Sequence, residues 1–204
     1  MPRSTLPLLD RYTDDGLECG LDEAGRGCLA GPVFAAAVIL DPLHLPPGLN
    51  DSKKLSPAQR EALRKEIETT ALAWAVSRAE ADEIDAINIL KASFLAMHRA
   101  LDQLTSRPDL LLVDGNRFEA YKDLRHITLI GGDARYSPIA AASILAKTHR
   151  DEFMRKIARD YPQYGWDRNK GYPTPEHIQA LFLSGASPWH RSSFTVKGQY
   201  SLPF

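Results

Sequence analysis

Gly20-Leu21-Asp22-Glu23-Ala24-Gly25-Arg26-Gly27 is the most informative stretch of this chain. Leu17, Cys19 and Leu21 alternate with Glu18, Gly20 and Asp22, the period of two expected of a β-strand. The segment ends on two adjacent carboxylates, and a glycine–arginine–glycine turn follows at once. Glycine has no Cβ and lets a backbone approach a ligand closely. Arginine offers a planar fork suited to phosphate. Acid pairs hold divalent cations. The octet therefore points to metal-dependent chemistry on nucleic acid.

Outward from the octet, Val33 to Leu40 is a continuous small-apolar and β-branched run, so a second, buried strand. Gly25, Gly27, Gly31 and Pro32 lie between the two, which predicts an antiparallel hairpin. Ser56-Pro57-Ala58-Gln59 opens a helix to about Thr70, with Ser as N-cap, Pro at the first position and Gln at the third. Residues 71–78 alternate as a third strand, and Ala81 to Asp85 is a helical turn. Asn88 to Leu104 has an amphipathic helical pattern through Ile89, Leu90, Phe94, Met97, Leu101 and Leu104. Leu110 to Val113 and His126 to Ile130 are the fourth and fifth strands, ending in Asp114-Gly115 and Gly131-Gly132-Asp133. Ser137-Pro138 opens a helix that is apolar to about Ala146 and charged to Asp160. Residues 161–173 read as a loop, Thr174-Pro175-Glu176 caps a last helix to about Gly185, and 186–204 read as extended. The order predicts an α/β layer fold, a five-stranded mixed sheet with helices on both faces.

Four carboxylates share one signature. Asp22 and Glu23 follow the first strand, Asp114 the fourth and Asp133 the fifth. If the first and fourth strands are parallel neighbours, their ends bring Asp22 and Asp114 together, where ligands of open α/β sheets commonly sit. Hard oxygens without His or Cys favour Mg²⁺ or Mn²⁺ over Zn²⁺. Two such ions about 3.5–4 Å apart can clamp the attacking and leaving oxygens of a phosphodiester. Taken singly, each acid has a plainer role: Asp133 as a helix cap, Asp114-Gly115 as a turn, Glu23 as a solvated side chain.

The 204 residues, 44% hydrophobic and 25% charged, suit one large globular domain or one domain with an appendage. No apolar run reaches about 18 residues, so no transmembrane helix is expected. Met1 to Asp15 has no signal pattern and reads as a flexible leader. Cys19 and Cys28 flank the octet and read as buried reduced thiols, which suits the cytoplasm. The net charge of −1 is unevenly spread: residues 145–204 carry nine Lys or Arg against five Asp or Glu, a surplus of +4 that leaves −5 for the rest. Acids that hold cations beside a basic part that holds phosphates suit a metal-centred nuclease.

These residues resemble a known family. The octet is similar to the opening motif of bacterial ribonuclease HII, the type 2 ribonuclease H. The resemblance continues through Asp51-Ser52-Lys53-Lys54-Leu55-Ser56, Asp114-Gly115, Gly132-Asp133 and the run Ala140 to Lys147. It extends through Tyr161 to Trp166, Lys170-Gly171-Tyr172 and His190 to Phe194, spanning roughly 17–195. It implies a ribonuclease H-like catalytic domain over 16–160, a small helical C-terminal part over 161–195 and a tail over 196–204. It also implies cleavage of RNA in RNA–DNA hybrids, and 5′ to a single ribonucleotide in duplex DNA, leaving 3′-hydroxyl and 5′-phosphate ends. Asp22, Glu23, Asp114 and Asp133 match the family's metal-binding acids. The related ribonuclease HIII has Glu at the fourth position and a long N-terminal domain, so Asp133 and the short leader favour HII. Gly25, Arg26 and Gly27 match the loop that senses the ribose 2′-hydroxyl, the group that separates RNA from DNA. Tyr172 matches the tyrosine that contacts that ribose. Lys53, Ser143 and Lys147 are expected to hold phosphates, the last two sharing one helix face at i, i+4.

The chain ends Gln199-Tyr200-Ser201-Leu202-Pro203-Phe204, and Gln199, Leu202 and Phe204 resemble the peptide by which bacterial repair proteins bind the sliding clamp. A monomer without membrane contact is expected. A resolvase of the same fold would share the acids but has no need of the glycine–arginine–glycine loop or Tyr172. A silent hybrid-binding module would have no need of four intact carboxylates.

Overall fold

Five strands form one sheet in the order β3-β2-β1-β4-β5: β1 Glu18–Ala24, β2 Val33–Ile39, β3 Ala73–Ala79, β4 Leu110–Asp114 and β5 Arg125–Leu129. The structure is a computed structural model and describes residues 7–195. β2 is antiparallel to both β1 and β3, while β1, β4 and β5 run parallel. The expected hairpin and the expected pairing of the first and fourth strands are both present. The helices are α1 Pro57–Thr70, α2 Ala81–Ile87, α3 Ile89–Asp102, α4 Ser137–Ile157, α5 Trp166–Asn169 and α6 Pro175–Ser184.

The alternation in β1 does not separate an inner from an outer face, because helices cover both. Cys19 and Leu21 join Ala35, Ala37 and Ile39 in a core packed by α3. The opposite face of β2, Ala36 and Val38, packs on α1 and α4 with Ala24. Asp22 therefore projects on the α4 side. α4 lies almost on the β1 backbone: a Cβ at Gly20 would come within 2.1 Å of the Pro138 carbonyl. The small residues Ala140, Ala141, Ala142 and Ser143 are all buried in that approach.

Local chemistry explains the boundaries. The Ser56 hydroxyl accepts from the Gln59 amide, and the Gln59 side chain accepts from the Ser56 amide at 2.9 Å, a reciprocal cap. Asn88, at φ 67°, ends α2 and caps α3 through Leu90 and Lys91 amides. Residues 161–173 are not wholly a loop: a turn of 3₁₀ helix, Pro162–Tyr164, and α5 lie within them. Helices this short leave no periodic signal in a sequence. In its described part, the expected leader contacts the body: the Leu9 amide donates to the Arg135 carbonyl at 2.8 Å, and Glu18 accepts from the Tyr12 and Thr13 amides. Both cysteines are free and buried. Among the described residues no helix is long and apolar enough to cross a membrane. The tail residues Gln199, Leu202 and Phe204 lie outside the described residues.

Candidate active site

Parallel pairing of β1 with β4 places Leu21 opposite Val113, so the next residue on each strand is a carboxylate: Asp22 and Asp114. A cavity of about 300 Å³ opens there. Its lining includes Asp22, Glu23 and Asp114, the whole Gly25-Arg26-Gly27 loop, Lys53, Ser143, Lys147 and Tyr172. Ten of the eleven residues singled out among those described thus face one space, brought together from β1, the β1–β2 turn, the 51–55 loop, β4, α4 and the C-terminal part. Asp133 is not in that lining. It sits buried in a 3₁₀ turn after β5, with its carboxylate on the Lys53 ammonium at 2.9 Å.

Burial pushes the Asp22 carboxyl well above its ordinary range, and the charges of Glu23 and Asp114 add to that shift. Ser143 opposes it by hydrogen bonding to the carboxylate, and the Glu23 amide donates to Asp22 Oδ1 at 2.7 Å. Glu23 is raised by burial and partly relieved by Arg26, whose guanidinium stands 3.0 Å from its carboxylate. Asp114 is raised by burial and by the charge of Asp133, and it accepts the Gly132 amide at 2.7 Å. Hard oxygens that repel one another in a buried pocket suit a divalent cation, which would relieve both burial and repulsion. The side chains do not form a closed cage: among the described residues no group of three or more His, Cys, Asp or Glu stands ready to hold an ion. Arg26 and Lys53 occupy the outer carboxylates instead. Arg26, expected to grip phosphate, is engaged by Glu23, and Lys147 by Asp151 at 2.5 Å.

The two glycines of the turn differ. Gly25 has φ +98°, and a Cβ there would fall 2.0 Å from Arg150 Nε. Gly27 has nothing within 4 Å of its would-be Cβ, so its open side faces free space. Tyr172 is 37% exposed, lies beside the Cys28 thiol, and has its ring 5.9 Å from both Lys147 and Arg150.

The sequence model of the family described as ribonuclease HII matches residues 19–197. A ribonuclease HII of Porphyromonas gingivalis is 58% identical over 188 residues, covering 92% of this chain and 94% of that protein. The chain belongs to the ribonuclease HII family. Two solved structures share the ribonuclease H-like fold at a TM-score of 0.73. Ribonuclease H2 of Pyrococcus horikoshii is 27% identical, with 87% of this chain and 93% of that one covered. The ribonuclease HII in a complex with PCNA from Archaeoglobus fulgidus is 25% identical, with 90% and 98% covered. Membership of the ribonuclease HII family makes the chain a ribonuclease H, a hydrolytic nuclease acting on RNA–DNA.

Several residues that shape this ribonuclease HII site carry no signal that composition or periodicity exposes. Arg150 and Arg191 are both 0% exposed. Arg150 donates to the carbonyls of Pro32, Ala30 and Lys170, and Arg191 to those of Gly31 and Arg26. Burial lowers the Arg191 guanidinium to about 10. Two buried cations, hydrogen bonded to main-chain carbonyls, fix the loop after the octet. Removing either would leave those carbonyls without donors, at a cost of about 1–3 kcal/mol for a buried acceptor left unsatisfied. His177 and His190 form a second hidden network. His177 Nδ1 donates to the Tyr172 carbonyl at 2.9 Å, and its Nε2 accepts from Trp166 Nε1 at 3.0 Å. His190 Nδ1 accepts the Ser187 amide at 2.9 Å, so its Nε2 donates to His177 Nε2 at 3.1 Å. Each bond assigns one neutral tautomer to each ring. Ser52 and Arg60 also line the cavity. The Ser52 hydroxyl meets that of Ser143 at 2.9 Å, and Arg60 holds the 51–55 loop by its Ser52 and Leu55 carbonyls. Helical i, i+4 spacing ties Ser143 to Lys147, but nothing local ties Ser143 to Ser52.

Proposed function

We propose that the chain cleaves RNA in RNA–DNA hybrids and cuts 5′ to single ribonucleotides in duplex DNA, leaving 3′-hydroxyl and 5′-phosphate ends. One observation carries this reading: three of the carboxylates line the same cavity as the Gly25-Arg26-Gly27 loop and Tyr172. Acids alone suit any nuclease of this fold. Acids beside a tight loop and an exposed ring suit one that inspects the sugar.

Asp22, Glu23, Asp114 and Asp133 would hold a pair of divalent cations, Mg²⁺ or Mn²⁺, which when bound would supply Lewis acidity for phosphodiester hydrolysis. The remaining work falls to the chain. Gly25, Arg26 and Gly27 present backbone groups to the ribose 2′-hydroxyl, on a loop that Arg150 and Arg191 hold rigid. Tyr172 packs on the sugar and tests whether the 3′ neighbour is deoxyribose. Lys147 and Lys53 offset phosphate charge by exchanging Asp151 and Asp133 for the substrate, and Ser143 offers a hydroxyl donor to a phosphate oxygen. A bacterial sliding clamp is the proposed partner of Gln199, Leu202 and Phe204; the solved complex of the Archaeoglobus fulgidus relative with PCNA supports that reading.

The test is a DNA duplex with one internal ribonucleotide against an all-DNA duplex of the same sequence. A single cut 5′ to the ribonucleotide, absent from the control, is expected. Asp22→Asn loses at least about 10²-fold in cleavage and keeps duplex binding. Equal cutting of both duplexes, or near-normal rates for Asp22→Asn in saturating Mg²⁺, overturns the reading.

A further inference from the structure

We propose that His177, with His190 behind it, is a positioning residue for sugar discrimination: it sets the main chain of Tyr172, and so where that ring stands relative to the Gly25-Arg26-Gly27 loop. The proposal rests on the function proposed above and names the residues that set its selectivity. Neither histidine lines the catalytic cavity, so each would act only through Tyr172. The Tyr172 ring is partly exposed and loosely flanked, with Lys147 and Arg150 each 5.9 Å from its centroid. A ring held so lightly takes its place from its own main chain.

That main chain sits in a closed frame. On one side the Leu29 amide donates to the Gly171 carbonyl at 2.8 Å. Gly171 has φ +82°, and a Cβ there would fall 2.5 Å from the Ala30 carbonyl oxygen, so the two segments touch. On the second side the Arg191 amide donates to the Leu29 carbonyl at 2.9 Å, and Ala30 stands opposite His190 in an isolated antiparallel bridge. Arg191 also reaches the Arg26 carbonyl at 3.0 Å. The histidine pair is the third side: His190 Nε2 donates to His177 Nε2 at 3.1 Å, and His177 Nδ1 donates to the Tyr172 carbonyl at 2.9 Å. Adjacent residues, His190 and Arg191, thus lead to the two elements that would read the sugar.

Satisfying the backbone does not require the pair. The Tyr172 carbonyl already accepts the Thr174 amide at 2.8 Å, and a second donor on the same oxygen adds direction. Packing does not require it either. Both rings are buried against Tyr164 and Trp166, a box that an apolar ring would fill without burying polar nitrogens. Trp166 Nε1 and His190 both donate to His177 Nε2, which leaves His177 one neutral tautomer with its proton aimed at Tyr172.

The test measures kcat/KM on two substrates: a DNA duplex with one internal ribonucleotide, whose 3′ neighbour is deoxyribose, and a hybrid with an all-RNA strand. The readout is the ratio of the first to the second, relative to the wild type. H177F fills the box without the donor to Tyr172 and should lower the ratio about tenfold. H190F should lower it in the same direction. H190Q, whose amide still offers a donor to His177, should hold it within about twofold of the wild type. In a Y172A background H177F should leave the ratio within about twofold of Y172A alone, because the ring that reads the sugar is gone. If urea unfolding shows that H177F does not fold, H190F against H190Q decides. A merely structural role would lower both rates alike. An unchanged ratio in the folded variants, or an equal effect of H177F with and without Tyr172, overturns the proposal. A wild type that cuts the ribonucleotide duplex no better than all-DNA removes the proposed function and this proposal with it. A wild type that discriminates, matched by its variants, removes this proposal alone.

Discussion

Asp22 is held where its charge is costly. Burial and two neighbouring carboxylates raise its pKa in the folded chain above the ordinary value of 3.8. A carboxyl raised on folding opposes stability once pH passes its unfolded value, because the unfolded chain then ionises more readily. Asp22→Asn should therefore raise the melting temperature at pH 7 in chelator while it abolishes cleavage. A lower melting temperature under those conditions would contradict the assigned electrostatics. The neighbouring turn offers a paired check. Gly25→Ala places a methyl in the left-handed region and against Arg150, and should cost about 1–3 kcal/mol in urea unfolding as well as activity. Gly27→Ala meets no atom within 4 Å and should be nearly neutral in stability. At this scale the octet was legible, because an acid pair and a glycine turn name their own chemistry. The counter-ions were not. Lys53 reaches Asp133 across 80 residues, and nothing local in either segment announces the other.

Among the elements, α6 and the turn before His190 hold a pH-sensitive contact. Burial lowers His190 to about 4 from an ordinary 6.5, with His177 beside it also lowered by burial. Both rings are neutral in the fold, and the unfolded chain takes up the proton first as pH falls. The stabilisation is whole above pH 6.5, is lost as pH falls toward 4, and amounts to ~3 kcal/mol for His190. Urea midpoints measured from pH 7 to pH 4 should fall, and His190→Asn should flatten that fall. An unchanged slope in the variant would remove His190 as its source. Helix caps such as Ser56 and Thr174 were readable because a cap is a local motif. The histidine pair was not, since its two rings come from different segments and each alone reads as an ordinary core histidine.

For the whole molecule, topology does what sequence order cannot. Parallel neighbours β1 and β4 bring together acids 92 positions apart, a pairing that strand patterns permitted but did not require. Arg150 and Arg191 tie the 26–32 loop to α4 and to the segment after α6, so the C-terminal part and the sheet share main-chain bonds, including Leu29 to Gly171 at 2.8 Å. The close seat of α4 on Gly20 has a wider implication. Glycine stands there because a helix presses on the strand, and no step of the chemistry touches it. Half of the octet is thus architecture and half is reactivity, and the two can part company in descent. A cousin that abandoned hydrolysis could lose its acids and still be obliged to keep that glycine, so a genome reader who meets the surviving fragment should infer ancestry from it and withhold judgement on activity.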